Sequence, residues 1–166
     1  FHKADDYTHP SFAALSPSGH PLRNILGADG ASGPVAWSKD GETLYFSRRA
    51  NTNNIYGYLD LFAYEPATKE LTGLTVDDRA REPAISPDGT KLVHVRNRAG
   101  SMELVLRPLD NPGDATVVLG AHDYHPHDDA HWQQISRPVF TASGEAVVFS
   151  WWRLDKRQRA LYMIHL

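Results

Sequence analysis

Three stretches of this 166-residue chain repeat one another, and a repeat at this spacing restricts the fold more than any other feature. They are Trp37–Ser47, Ile85–Val95 and Phe140–Ser150, with glycines at 41, 89 and 144 in register, 48 and 55 positions apart. A proline precedes each copy, at Pro34, Pro83 and Pro138. Within a copy an apolar residue ends one short segment. A Ser/Thr-x-Asp/Ser-Gly turn follows, in which glycine is free to take positive φ. A segment rich in β-branched and aromatic residues then begins. Each copy therefore predicts a β-hairpin.

The intervening segments recur as well. Leu59–Tyr64 and Leu71–Leu74 flank a turn at Glu65–Glu70, and Met102–Leu106 and Thr116–Leu119 flank a turn at Leu109–Asp114. Phe12–Leu15 and Leu22–Leu26 flank Ser16-Pro17-Ser18-Gly19 in the same way. One unit is thus four short antiparallel strands in about 50 residues, the dimensions of a β-propeller blade. The predicted fold is all-β, with propeller blades of four antiparallel strands in an incomplete ring. A β-sandwich with coincidental turns is the competing architecture.

The chain divides as one partial propeller domain over 1–166. It has a half blade at about 7–30, blades at 33–77 and 82–121, and an incomplete blade at 137–166. Closed propellers have roughly 4–8 blades, so this is less than a ring. The chain starts at Phe1 and ends in the apolar run Leu161–Leu166, and a piece of a larger protein is expected. Over Arg153–Leu166, which holds no Gly or Pro, a strand from Leu161 onward competes with a helix. An apolar terminal strand also has an edge that can recruit another strand. A homo-oligomer is therefore a third arrangement, and sedimentation tests it.

Composition removes several functions. There is no cysteine, which excludes disulfides, thiolate–metal centres and thiol catalysis. The net charge of −3 argues against a nucleic-acid binder. No apolar run approaches the roughly 20 residues that a membrane-spanning helix needs. There is no G-x-S-x-G elbow, phosphate loop or EF-hand, and no catalytic residue is assigned.

Arg81-Glu82-Pro83-Ala84-Ile85-Ser86-Pro87-Asp88-Gly89-Thr90-Lys91-Leu92-Val93 resembles the blade signature of TolB-like, WD-repeat-like propellers. The turn Arg96-Asn97-Arg98-Ala99-Gly100 follows where that family tends to place a polar, Arg- and Gly-containing turn. The likeness is good in the first hairpin and looser in the last, where Thr141-Ala142-Ser143-Gly144 replaces Ser-Pro-Asp-Gly. The resemblance implies a propeller of about six or seven blades in a periplasmic or secreted setting. It also makes Asp40, Gly41, Asp88 and Gly89 blade-building residues. Similar blades occur in binding scaffolds, in the gating propellers of prolyl-oligopeptidase-like and tricorn-like peptidases, and in metal-dependent sugar lyases. Fold alone therefore does not choose a function.

Four of the nine histidines, His122, His125, His127 and His131, lie in one inter-blade segment with Asp123, Asp128 and Asp129. Imidazole and carboxylate together suit a divalent ion such as zinc or manganese. His122, His125, His127, His131 and Asp128 are the candidate ligands. His127-Asp128-Asp129-Ala130-His131 also mimics H-E-x-x-H, with a shorter acid in place of Glu. A solvated loop whose His and Asp groups pair with each other is the alternative. The resemblance to sugar-lyase propellers adds Gln133 and Gln134 to the residues of interest, and it implies that such links sit at one end of the central channel.

Arginines recur after the second strand of each hairpin: Arg48, Arg49, Arg96, Arg98 and Arg153. They predict either inter-blade hydrogen bonds or an anion-binding rim. Arg48, Arg98, Arg153 and Trp152 are the rim candidates for a ligand or partner. Trp151 and Trp152, adjacent in a strand, must face opposite sides. The functional expectation is a non-catalytic binding or interaction module. Its partner is another protein or the remainder of its own propeller. The propeller portion of a larger peptidase or metal-dependent lyase is the alternative.

Overall fold

The structure is a computed structural model and describes residues 2–3, 11–14, 18, 23–26, 31–52, 56–98, 101–120, 134–153 and 157–166. Every regular element among the described residues is a strand. Blade 1 holds β1 (His2–Lys3), β2 (Ser11–Ala14) and β3 (Arg23–Leu26) in that order. Blade 2 holds β4 (Ala31–Trp37), β5 (Leu44–Thr52), β6 (Tyr56–Glu65) and β7 (Glu70–Gly73). Blade 3 holds β8 (Ala80–Ile85), β9 (Lys91–Arg98), β10 (Ser101–Pro108) and β11 (Thr116–Leu119). Blade 4 holds β12 (Gln134–Phe140), β13 (Ala146–Arg153) and β14 (Gln158–His165). Among the described residues all pairings are antiparallel between sequence neighbours, and the sheets do not close into a ring. No helix among the described residues is long and apolar enough to cross a membrane.

The repeated turn works as its residues suggest. In blade 3 the Ser86 hydroxyl donates to Asp88 Oδ1 (2.5 Å) and accepts from Lys91 N (2.9 Å). Asp88 Oδ1 also accepts from Thr90 N (3.0 Å). These donors, the Ser86 hydroxyl first, hold the Asp88 carboxyl down at about 2, although it is exposed to solvent. Ser38 and Asp40 repeat the arrangement in blade 2. In blade 4 Thr141 and Ser143 replace the pair with longer bonds, Thr141 Oγ1 accepting from Ala146 N at 3.2 Å.

Gly89 sits at φ +79°, and a Cβ there would stand 3.0 Å from Lys39 Cβ of the neighbouring blade. At Gly41, φ +77°, a Cβ would meet nothing within 4 Å. Gly41→Ala should thus cost only the left-handed strain, about 1 kcal/mol, and Gly89→Ala about 2 kcal/mol. Urea midpoints of the two variants compare them directly. Equal losses would mean that the two blades do not meet at Lys39.

The core lies between blades. Phe12, Leu44, Phe46 and Tyr64 join blades 1 and 2, with the Phe12 and Phe46 rings edge-to-face at 5.2 Å. Leu61, Ala80 and Leu92 join blades 2 and 3. The larger cluster between blades 3 and 4 includes Val93, Val95, Leu104, Ile135, Val147, Phe149 and Trp151. Trp151 packs edge-on against Tyr162 at 4.9 Å, while Trp152 is half-buried.

The first strand of each four-strand pattern carries a bulge. The register breaks between Ser32 and Ala36, between Arg81 and Ala84, and between Ser136 and Val139. Each break spans a proline, which has no N–H for the ladder. The residue before each proline takes a positive φ: Gly33 at 79°, Glu82 at 57° and Arg137 at 54°.

Candidate binding site

The bulged strands β4, β8 and β12 lie side by side and shape a recess of about 460 Å³. Its walls are Pro34 to Trp37, Glu82 to Ile85, and Arg137 to Val139. Val139 is 59% exposed, Trp37 43% and Val35 36%, so the recess shows apolar surface to solvent. It runs across three blades because each blade places its x-Pro bulge at the same height.

The recess wall is tied together by one carboxylate. Glu82 N donates to Ser47 Oγ of blade 2 at 3.1 Å. Glu82 Oε2 accepts from Arg137 N of blade 4 at 2.5 Å, and Glu82 Oε1 lies 3.5 Å from Arg81 Nη1. Arg81 Nη2 reaches Ile135 O at 3.4 Å. Glu82 thus joins three blades, and its carboxylate is engaged on both oxygens.

A second, polar recess of about 450 Å³ is lined by Asp77, Asp78, Arg79, Arg96, Asn97 and Arg98. Behind it runs a buried ionic chain. Asp60, 1% exposed, accepts from the Thr75 hydroxyl (2.7 Å), Asp77 N (3.0 Å) and Asp78 N (3.0 Å). This fixes the 74–79 link so that Asp78 pairs with Arg96 (3.3 Å) and with Arg107. Arg96 continues to Glu103 at 2.6 Å. Arg107 Nε donates to His94 Nε2 at 2.9 Å, and its Nη1 donates to Pro112 O. His94 must therefore offer a lone pair at Nε2. Burial, and then the Arg107 charge, push its pKa down to about 4 and keep it neutral at pH 7.

The arginines grouped as one rim in the sequence have different tasks. Arg48 lies over the Phe62 ring at 5.6 Å and Arg153 over the Trp151 ring at 5.0 Å. Arg96 belongs to the ionic chain, and Arg98 is exposed at the edge of the polar recess. Trp152 stands on the opposite face of β13 from Trp151 and the rest of the blade 3–blade 4 cluster. The structure therefore does not gather Arg48, Arg98, Arg153 and Trp152 into one site. His122, His125, His127, His131 and Asp128 lie outside the described residues. Among the described residues no group of three His, Cys, Asp or Glu side chains is placed to hold a metal. Gln134 Oε1 accepts from Arg159 at 3.2 Å.

Sequence reasoning marked Pro34, Pro83 and Pro138 only as repeat flanks. The signal for the recess was the changing residue before them, Gly33, Glu82 and Arg137. Asp60 gave a weaker signal, as a lone acid between two leucines in a strand.

No protein-family profile and no curated protein sequence matches the chain. Solved structures do. A TolB-type protein from Agrobacterium tumefaciens superposes with a TM-score of 0.75 at 18% identity, covering 99% of this chain and 56% of that one. The fold is that of a TolB-type β-propeller. TolB from Acinetobacter baumannii gives 0.71 at 17% identity, over 95% of this chain and 35% of that one. A prolyl endopeptidase structure gives 0.60 at 14% identity, over 96% and 25%. The chain spans about half the length of the first of these propeller structures and less of the others.

Proposed function

We propose that this chain is a non-catalytic propeller module that holds a polypeptide partner in the recess formed by β4, β8 and β12. The recess itself carries the reading. It offers Pro34, Val35, Val139 and the Trp37 indole at the meeting of three blades, a surface suited to an apolar chain segment. The likeness to a prolyl endopeptidase supports a polypeptide as the class of ligand. It also supports the second reading, in which this propeller is the non-catalytic part of a larger peptidase. Likeness to TolB structures supports a periplasmic or secreted setting. The face of blade 4 that carries Val148, Leu161 and Met163 suits a further blade of the same ring or a second copy. Leu161 there is 76% exposed.

The test is selection of a displayed peptide library on the protein, with counter-selection on Trp37→Ala/Val139→Glu. Both positions are exposed, so the variant should fold. Apolar peptides should be enriched on the native chain and bind the double variant at least about tenfold more weakly. Enriched peptides that bind the variant equally well would remove the recess from the function.

A further inference from the structure

Non-glycine residues with left-handed φ carry backbone strain, and a following proline disfavours helical φ/ψ further. Blade 2 avoids the strain by placing Gly33 at its bulge, whereas blades 3 and 4 place Glu82 and Arg137 there. Strain of this kind persists only where the surrounding structure holds it in place, and it gathers at ligand-binding sites. The task of Glu82 is visible: its carboxylate takes the Arg137 N–H and lies against Arg81. The backbone of Arg137 is pinned by that same bond, but its guanidinium meets no partner among the described residues. It stands exposed at the wall of the recess, beside Val139.

We propose that Arg137 is the recognition residue of this recess, and that it pairs with an acidic side chain, Asp or Glu, of an apolar polypeptide segment lying there. The proposal rests on the binding reading above and names the chemistry of its ligand. A guanidinium forks onto a carboxylate through two parallel N–H···O bonds, and shielding by the prolines, Val35 and Trp37 strengthens such a pair. A singly charged carboxylate suits the site better than a phosphate dianion, because the Glu82 carboxylate in the same wall opposes a second negative charge. The recess is open and crosses three blades, so a chain passes through it. This favours an internal side chain over a terminal carboxylate.

Arg137→Gly separates the two effects. It keeps the backbone N–H that Glu82 uses, relieves the left-handed strain and removes the whole exposed side chain, guanidinium included. The probes are short amidated peptides of Pro, Val and Leu with a central Glu, Gln or Lys, and a Gln-centred set with a free C-terminal carboxylate. On the native chain the Glu set should bind about tenfold or more tightly than the Gln and Lys sets. In Arg137→Gly that preference should vanish, while the melting temperature stays equal or rises by a few degrees. Equal binding of all sets by the native chain leaves the recess as a peptide site but overturns the role of Arg137. So does a Glu preference that survives in the variant, or a preference for the free-carboxylate set. A variant that melts well below the native chain overturns the strain argument and, with it, the proposal. Binding of none of the four sets overturns the binding reading itself.

Discussion

Asp60→Ala should lower the stability of the protein by about 3–5 kcal/mol, a large share of what a domain of this size holds. Three donors converge on this carboxylate: the Thr75 hydroxyl and the main-chain N–H groups of Asp77 and Asp78. Without it they are stranded in a buried site. The larger cost lies one step further on. Asp60 fixes the link that delivers Asp78, and Asp78 is the counter-charge of both Arg96 and Arg107. Losing that placement leaves a buried cation underpaired, which costs more than the lost attraction alone. Asp60→Asn keeps the shape but turns an NH2 group toward a main-chain N–H, so it should recover only part of the loss. Urea unfolding of the two variants decides the point. A loss below about 1 kcal/mol for Asp60→Ala would mean that the 74–79 link holds itself in place.

Acid should act on the same seam through His94. Its pKa falls from 6.5 in the unfolded chain to about 4 in the folded one, because it is buried and accepts a hydrogen bond from Arg107. Between those values the unfolded state binds the proton and the folded state does not. The stability associated with neutral His94 is therefore complete above pH 6.5 and is lost as pH falls toward 4. The whole step amounts to about 3 kcal/mol. Asp88, held at about 2, adds a loss of the same sign at lower pH. A His94→Gln variant, whose amide oxygen can still accept from Arg107, should start less stable and show a flatter profile between pH 6.5 and 4. Parallel profiles for native chain and variant would mean that other groups carry the acid response.

The repeating turn made the blades legible. Ser38-Lys39-Asp40-Gly41 and Ser86-Pro87-Asp88-Gly89 contain both the hydroxyl–carboxylate pair and the glycine that the reversal needs, all within four residues. Short-range chemistry of that kind is written locally. The strand at the C-terminus was legible from Leu161. It begins at Gln158, because pairing with β13 extends to Arg153 opposite Gln158. Strand β1 was missed, since two residues carry no periodicity. The recess was not legible, because it depends on three bulges spaced along the chain being stacked at one height. Nor was the ionic chain, whose members Asp60, Asp78, His94 and Arg107 come from two blades and a link. The arginines show the limit clearly: Arg48, Arg96, Arg98 and Arg153 follow similar strands, yet Arg48 and Arg153 lie over aromatic rings while Arg96 pairs with Asp78 and Glu103.

The two seams flanking blade 3 differ in kind. One is a chain of charges over a small cluster of Leu61, Ala80 and Leu92. The other is a thick apolar layer that includes Ile135, Phe149 and Trp151. In an array of repeats the weakest neighbour coupling sets where cooperativity breaks. Protonation of His94 acts on the first seam through Arg107 and Asp78, whereas the second rests chiefly on apolar contact. Mild acid is therefore expected to disturb the contact of blade 3 with the 74–79 link and blade 2 before its contact with blade 4.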